Sequence, residues 1–160
     1  MKASTMYLLF VLLCSCSTTK YYIVRHAEKE TAPVMTSDVL LSENGKQRDI
    51  ALKEALLHQK IKHIFSTNFK RTVGTAQPLS DAFGVSIQHY DAADSGFISL
   101  LKQVHGNTLV VGHSNTVDDL VNGLIGKKLL QDLADTAYGD LFIVTKHGKR
   151  YHFSKQRFGL

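Results

Sequence analysis

The chain is short of most covalent features that tie small proteins together. Its 160 residues include only two cysteines, Cys14 and Cys16, both close to the N-terminus. The rest of the sequence has no thiol for a disulfide, so its stability must come from a hydrophobic core. Prolines are limited to Pro33 and Pro78, and there is no linker, internal repeat or low-complexity stretch, which points to one domain. The longest apolar run, Met6 to Leu13, is too short to span a bilayer. The net charge of +5 comes without a long Lys/Arg run or interleaved aromatics, so no nucleic-acid partner is expected. Eight histidines are present, but none falls in a His-Glu-x-x-His or Cys–His ligand spacing, so no metal or other cofactor is expected. A serine-hydrolase elbow, G-x-S-x-G, fails in Gly112-His113-Ser114-Asn115-Thr116 because Thr116 stands where glycine is required.

The N-terminus reads as a targeting segment. Lys2 supplies a positive start and Met6 to Leu13 an apolar stretch. Leu13-Cys14-Ser15-Cys16 then resembles a bacterial lipoprotein signal, with an aliphatic residue at −3, a small one at −1 and the acceptor cysteine at +1. Residues 1–15 are the expected signal peptide, Cys16 the lipidated first residue, and 16–20 a short tether to a domain over 21–160. The chain would then be an exported bacterial lipoprotein, held by its N-terminal lipid on the periplasmic side of a membrane or at the cell surface. Removing residues 1–15 takes away Lys2 alone among the charged groups. The positive charge that remains favours anionic substrates.

Two apolar runs end in histidine. Tyr21-Tyr22-Ile23-Val24 leads into Arg25-His26-Ala27-Glu28-Lys29, and Thr108-Leu109-Val110-Val111 leads into Gly112-His113. Such unbroken runs suit strands buried in an α/β sheet, and the polar residues after them lie at the carboxyl edge where these sheets bind ligands. Ile64-Phe65-Ser66 reads as another strand, followed by a helix from about Phe69 to Phe83 with Gly84 as its stop. Arg71 falls in the first turn of that helix, where the dipole and free N–H groups favour anions. Arg25, Arg71 and the two imidazoles can together cover the oxygens of a phosphoryl group.

Taken in order, R-H-A-E-K, S-x-x-x-x-R-x-x-x-T-A and V-V-G-H-S-N-T resemble the histidine phosphatase superfamily in its phosphoglycerate-mutase-like branch. Leu41-Ser42-Glu43-Asn44-Gly45 resembles the same family's helix start. The resemblance implies a metal-independent phosphatase in which His26 is the nucleophile, becoming a covalent phosphohistidine that water hydrolyses. Arg25, Arg71 and His113 would bind and stabilise the phosphoryl group. It also implies a carboxylic general acid after the third strand, for which Asp91 is the first candidate and Asp94 the second, with Glu28 as a further alternative. The substrate would be a phosphorylated small molecule or phosphoprotein, a phosphomonoester or phosphohistidine. Only 45 positions separate His26 from Arg71, which makes this a compact member with few lid elements and disfavours a phosphoglycerate mutase, whose phosphoenzyme must be kept from water. The competing reading is a catalytically silent lipoprotein that binds a phosphorylated ligand.

The remaining pattern alternates strand and helix. Ser42 caps a helix whose buried face is expected at Ile50, Ala51, Ala55 and Leu56. A strand at Val85–Ile87 and a helix over Ile98–Val104 follow, then a helix from about Thr116 to Leu124 with Asp118 and Asp119 in a solvated first turn. Gly139 to Thr145 and Arg150 to Ser154 form a terminal hairpin around His147-Gly148. The expected fold is a three-layer α/β/α sandwich with a mainly parallel sheet and a C-terminal antiparallel hairpin.

Overall fold

The computed structural model describes residues 18–31 and 38–159. Strand and helix alternate along it as β1 (Thr18–Arg25), α1 (Glu43–Leu56), β2 (Ile61–Ser66), α2 (Lys70–Phe83), β3 (Ile87–His89), α3 (Phe97–Gln103), β4 (Asn107–Gly112) and α4 (Val117–Ile125). A hairpin of β5 (Asp140–His147) and β6 (Arg150–Arg157) closes the chain. The six strands lie in the order β3-β2-β4-β1-β5-β6. The first four are mutually parallel, while β5 runs antiparallel to β1 and to β6. The signal segment, Cys16 and Pro33 lie outside the described residues.

Successive strand residues face opposite sides of a sheet, and here both sides are covered. Tyr21, Ile23, Phe65 and Val110 pack with Phe97 and Leu101 of α3 and with Val117 and Val121 of α4. Tyr22, Val24, Ile64, Leu109 and Val111 pack with Leu52 and Leu56 of α1 and with Ala76 and Leu79 of α2. The apolar runs are unbroken because alternate residues feed two cores. This is the three-layer arrangement expected from the sequence.

Local boundaries differ for identifiable reasons. β1 begins at Thr18, so Thr18–Lys20 belong to the sheet and not to the tether placed over 16–20. These polar residues pair with β5 from Thr18↔His147 to Lys20↔Thr145, and the Lys20 N–H donates to the Asn107 side chain. β3 starts two residues later than expected because Val85 is held to the end of α2, exchanging hydrogen bonds with Ser80. The buried positions of α1 are Gly45, Asp49, Leu52 and Leu56. Of the expected face only Leu56 is fully buried; Ile50 is 46 % exposed, and Ala55 also faces solvent.

Two glycines and a cap explain that rotation and the stops. Ser42 caps α1 by accepting the Gly45 N–H at 3.2 Å, while its own N–H donates to the Glu28 carbonyl at 2.9 Å. A Cβ on Gly45 would collide with that same carbonyl. The first turn of α1 is therefore pressed onto the segment after β1, which turns Ile50 outward. Gly84, at φ 62°, ends α2 in the left-handed conformation. Asp118 is buried at 4 % exposure instead of solvated, because the segment after α4 folds back over it, with the Asn122 side chain accepting the Leu129 and Leu130 N–H groups.

Candidate active site

Parallel strands deliver the polar residues to one edge. β1 ends at Arg25, β2 at Ser66 and β4 at Gly112, so His26, Thr67 and His113 all emerge together. The His26 N–H donates to the Gly112 carbonyl at 2.9 Å, which carries the β1–β4 ladder one step past the strands and fixes the two histidine segments together. The rings of His26 and His113 lie 5.5 Å apart between centroids. Arg71 enters from the first turn of α2, its Nη2 3.4 Å from Nδ1 of His113. Arg25, His26, Arg71 and His113 line one open cavity of about 730 Å³.

The polarity of His26 follows from one contact. Its Nδ1 is 2.7 Å from the Ala27 carbonyl. A carbonyl only accepts, so Nδ1 carries the hydrogen and Nε2 keeps a lone pair. Burial pushes the His26 imidazole down to about 3; the Ala27 hydrogen bond opposes this, and Arg25, Arg71 and His113 add to it. His113 is lowered to about 4 by burial, then by Arg71 and Arg25. Both rings are therefore neutral at physiological pH, and the lone pair of His26 lies on Nε2.

Arg25 is 7 % exposed and held on several sides. Its Nη1 donates to the Ala134 carbonyl at 2.9 Å, its guanidinium stacks 4.4 Å over the Tyr138 ring, and Nη2 is 3.6 Å from the Asp135 carboxylate. Its buried Nε has no hydrogen-bond partner among the described residues, a costly state unless a ligand atom occupies that direction.

The carboxylates sort clearly. Asp91 lines the cavity, with its Oδ1 accepting the Ala93 N–H at 2.9 Å. Asp94 turns away to accept the Gly96 N–H at 2.7 Å and lines a separate small pocket. Glu28 faces α1, where Arg48 donates to both carboxylate oxygens at 2.6–2.9 Å. Burial alone would raise the Glu28 carboxyl, but the Arg48 hydrogen bonds outweigh it and hold the group below its usual range. Neither Asp94 nor Glu28 is thus placed to serve as an acid in this cavity. The structure also adds lining residues that sequence reasoning passed over: Phe69, His89 and Asp135. His89 ends β3 at the same sheet edge, a signal the sequence carried. Asp135 comes from an irregular segment that no pattern identifies. Among the described residues, no three His, Cys, Asp or Glu side chains are grouped to hold a metal ion.

Residues 21–94 match the family described as the histidine phosphatase superfamily (branch 1). Among solved structures, the SixA protein from Agrobacterium tumefaciens is 23 % identical, with 88 % of this chain and 99 % of that chain covered and a TM-score of 0.67. The protein histidine phosphatase SixA complexed with tungstate is 18 % identical, with 86 % and 96 % covered and a TM-score of 0.69. A mycobacterial glucosyl-3-phosphoglycerate phosphatase is 14 % identical, with 89 % and 100 % covered and a TM-score of 0.67. At these identities the likeness establishes the fold. No curated protein sequence matches the chain significantly.

Proposed function

Residues 21–94 match the histidine phosphatase superfamily, branch 1, and from that premise we propose that the chain is a metal-independent phosphatase working through a phosphohistidine on His26. The observation that carries this is the Nδ1–H of His26 held on the Ala27 carbonyl at 2.7 Å, beside two arginines and a second imidazole. Nε2 attacks phosphorus as the bond from phosphorus to the leaving oxygen or nitrogen breaks. Water then attacks the phosphoenzyme, the P–Nε2 bond breaks, and inorganic phosphate leaves. Arg25 and Arg71 balance the charge on the peripheral oxygens, with His113 as a third polar partner.

The substrate class is a phosphomonoester or phosphohistidine, free or on a protein. The cavity is open enough for either, and the related SixA holds tungstate, a tetrahedral oxyanion. Asp91 is the proposed general acid, since it is the one sequence-derived candidate that lines the cavity. Cys16 is the proposed lipid acceptor, which would anchor the protein to a membrane.

An activated aryl phosphate tests the core of this reading. Wild-type protein should hydrolyse it with EDTA present and yield acid-labile phosphate on a histidine when quenched. His26→Ala should lose both, because removal of a covalent nucleophile closes the pathway. Wild-type protein that binds phosphate without turnover would instead make this a silent binding module.

A further inference from the structure

Thr67 has no role in the reaction as described, although it leaves β2 at the same edge as His26 and His113. It is 3 % exposed, and its hydroxyl lies 2.9 Å from Nε2 of His113 and 3.0 Å from the hydroxyl of Thr72. Counting donors and acceptors assigns every hydrogen in this chain. Thr72 Oγ1 is 2.8 Å from the Thr67 carbonyl and 2.9 Å from the Phe69 carbonyl. Carbonyls only accept, so Thr72 gives its single hydrogen to them and can only accept from Thr67. Thr67 has then used its own hydrogen and must accept from His113, whose Nε2 carries the proton. The other ring nitrogen agrees independently: Nδ1 is 3.4 Å from Nη2 of Arg71, and a guanidinium can only donate. The two imidazoles are held in opposite tautomers, His26 as Nδ1–H and His113 as Nε2–H.

We propose that Thr67, braced by Thr72, is a positioning residue that locks His113 in its Nε2–H tautomer and so makes Nδ1 the nitrogen offered to the phosphoryl group beside Arg71. This rests on the reading of His113 as a phosphate-binding residue. A phosphomonoester monoanion then docks with its single P–OH hydrogen on Nδ1 and its unprotonated oxygens on the arginines. The reversed tautomer breaks that match and leaves a buried ring N–H without its acceptor.

Nitrogen-15 long-range NMR of the imidazoles reads the tautomer directly, without turnover. Wild-type protein without phosphate should show His113 protonated at Nε2 only. Thr67→Val should raise the population of the other tautomer, because the 2.9 Å contact at Nε2 is lost and only the longer 3.4 Å Arg71 contact still favours Nε2–H. It should lower kcat on an aryl phosphate by about tenfold, with a smaller change in KM. Thr67→Ser should restore the wild-type tautomer and most of the rate. Thr72→Ala reaches the same point without touching Thr67, because it frees the Thr67 hydroxyl hydrogen to turn towards His113. Wild-type protein protonated at Nδ1, an unchanged tautomer in both Thr67→Val and Thr72→Ala, or a Thr67→Ser protein as impaired as Thr67→Val would each overturn the proposal. A lock seen by NMR and lost in Thr67→Val, in a wild-type protein without phosphatase activity, upholds the positioning role and removes the phosphatase reading alone.

Discussion

His26 and His113 couple the site to stability. Burial is the largest cause in lowering His26 to about 3 and His113 to about 4, against an ordinary value of 6.5. An unfolded chain takes up protons on both near 6.5 while the folded protein refuses them. In the window from there down to the folded values the unfolded state binds more protons, so stability falls as pH falls. Above 6.5 both states are neutral and the contribution is flat; below the folded values both are protonated and the slope ends. Urea unfolding at a series of pH values should show this loss in wild type and a shallower one in a His26→Ala/His113→Ala double variant. Bound phosphate or tungstate opposes the shift by placing negative charge beside both rings, so either should raise the midpoint more at about pH 5 than at about pH 8. The acid role is separable at the same scale. Asp91→Asn should cut alkyl phosphate hydrolysis about a hundredfold while sparing aryl phosphates, whose leaving group needs little protonation. Asp135→Asn, acting through its 3.6 Å pairing with Arg25, should change both substrates in parallel.

At the scale of elements, the junction of α1 with the segment after β1 is the most constrained contact near the site. Gly45 is a helical residue with no room for a Cβ against the Glu28 carbonyl, and Glu28 lies two residues beyond His26. Gly45→Ala should therefore destabilise the protein by about 1–3 kcal/mol, as overpacking does, and lower activity by displacing that segment. Ser42→Ala should cost about 1 kcal/mol through loss of the cap and leave the kinetics close to wild type. Chemical denaturation and turnover measured on the same samples distinguish the two. The cap at Ser42 and the stop at Gly84 were legible in the sequence because each is a local backbone requirement. The buried face of α1 was not: Ile50 is more apolar than Asp49, yet the close approach at Gly45 turns Asp49 inward.

At the scale of the whole molecule, the proposed anchor would be separated from the cavity. β1 begins at Thr18, two positions after Cys16, and ends at Arg25, a span of roughly 25 Å at the usual rise per residue. A lipid on Cys16 would hold the amino edge of the strand near the membrane while the cavity opens at the carboxyl edge. Cys16→Ala should abolish labelling of the protein by a fatty-acid probe in cells. It should leave hydrolysis of a soluble aryl phosphate within about twofold of wild type, since the cavity lies at the Arg25 end of β1 and not at the Thr18 end. Labelling that persists in the variant would remove Cys16 as the acceptor.

The strand ends at Arg25 and Gly112, the helix entry at Arg71 and the layered α/β class follow from local pattern: unbroken apolar runs need two cores, and polar residues after parallel strands share an edge. Those rules brought Arg25, His26, Arg71 and His113 together before any coordinates were needed. Choosing among Asp91, Asp94 and Glu28 was beyond such reasoning, because three carboxylates near a site look alike until their partners are known. Only the tertiary structure pairs Glu28 with Arg48 and turns Asp94 onto Gly96, and it carries Asp135 in from the segment before β5 to meet Arg25. The tautomers of both histidines belong to the same category. A ring nitrogen carries its proton according to the atom facing it, and those atoms, the Ala27 carbonyl for one ring and the Thr67 hydroxyl with Arg71 for the other, are set by how the strand ends and α2 pack together.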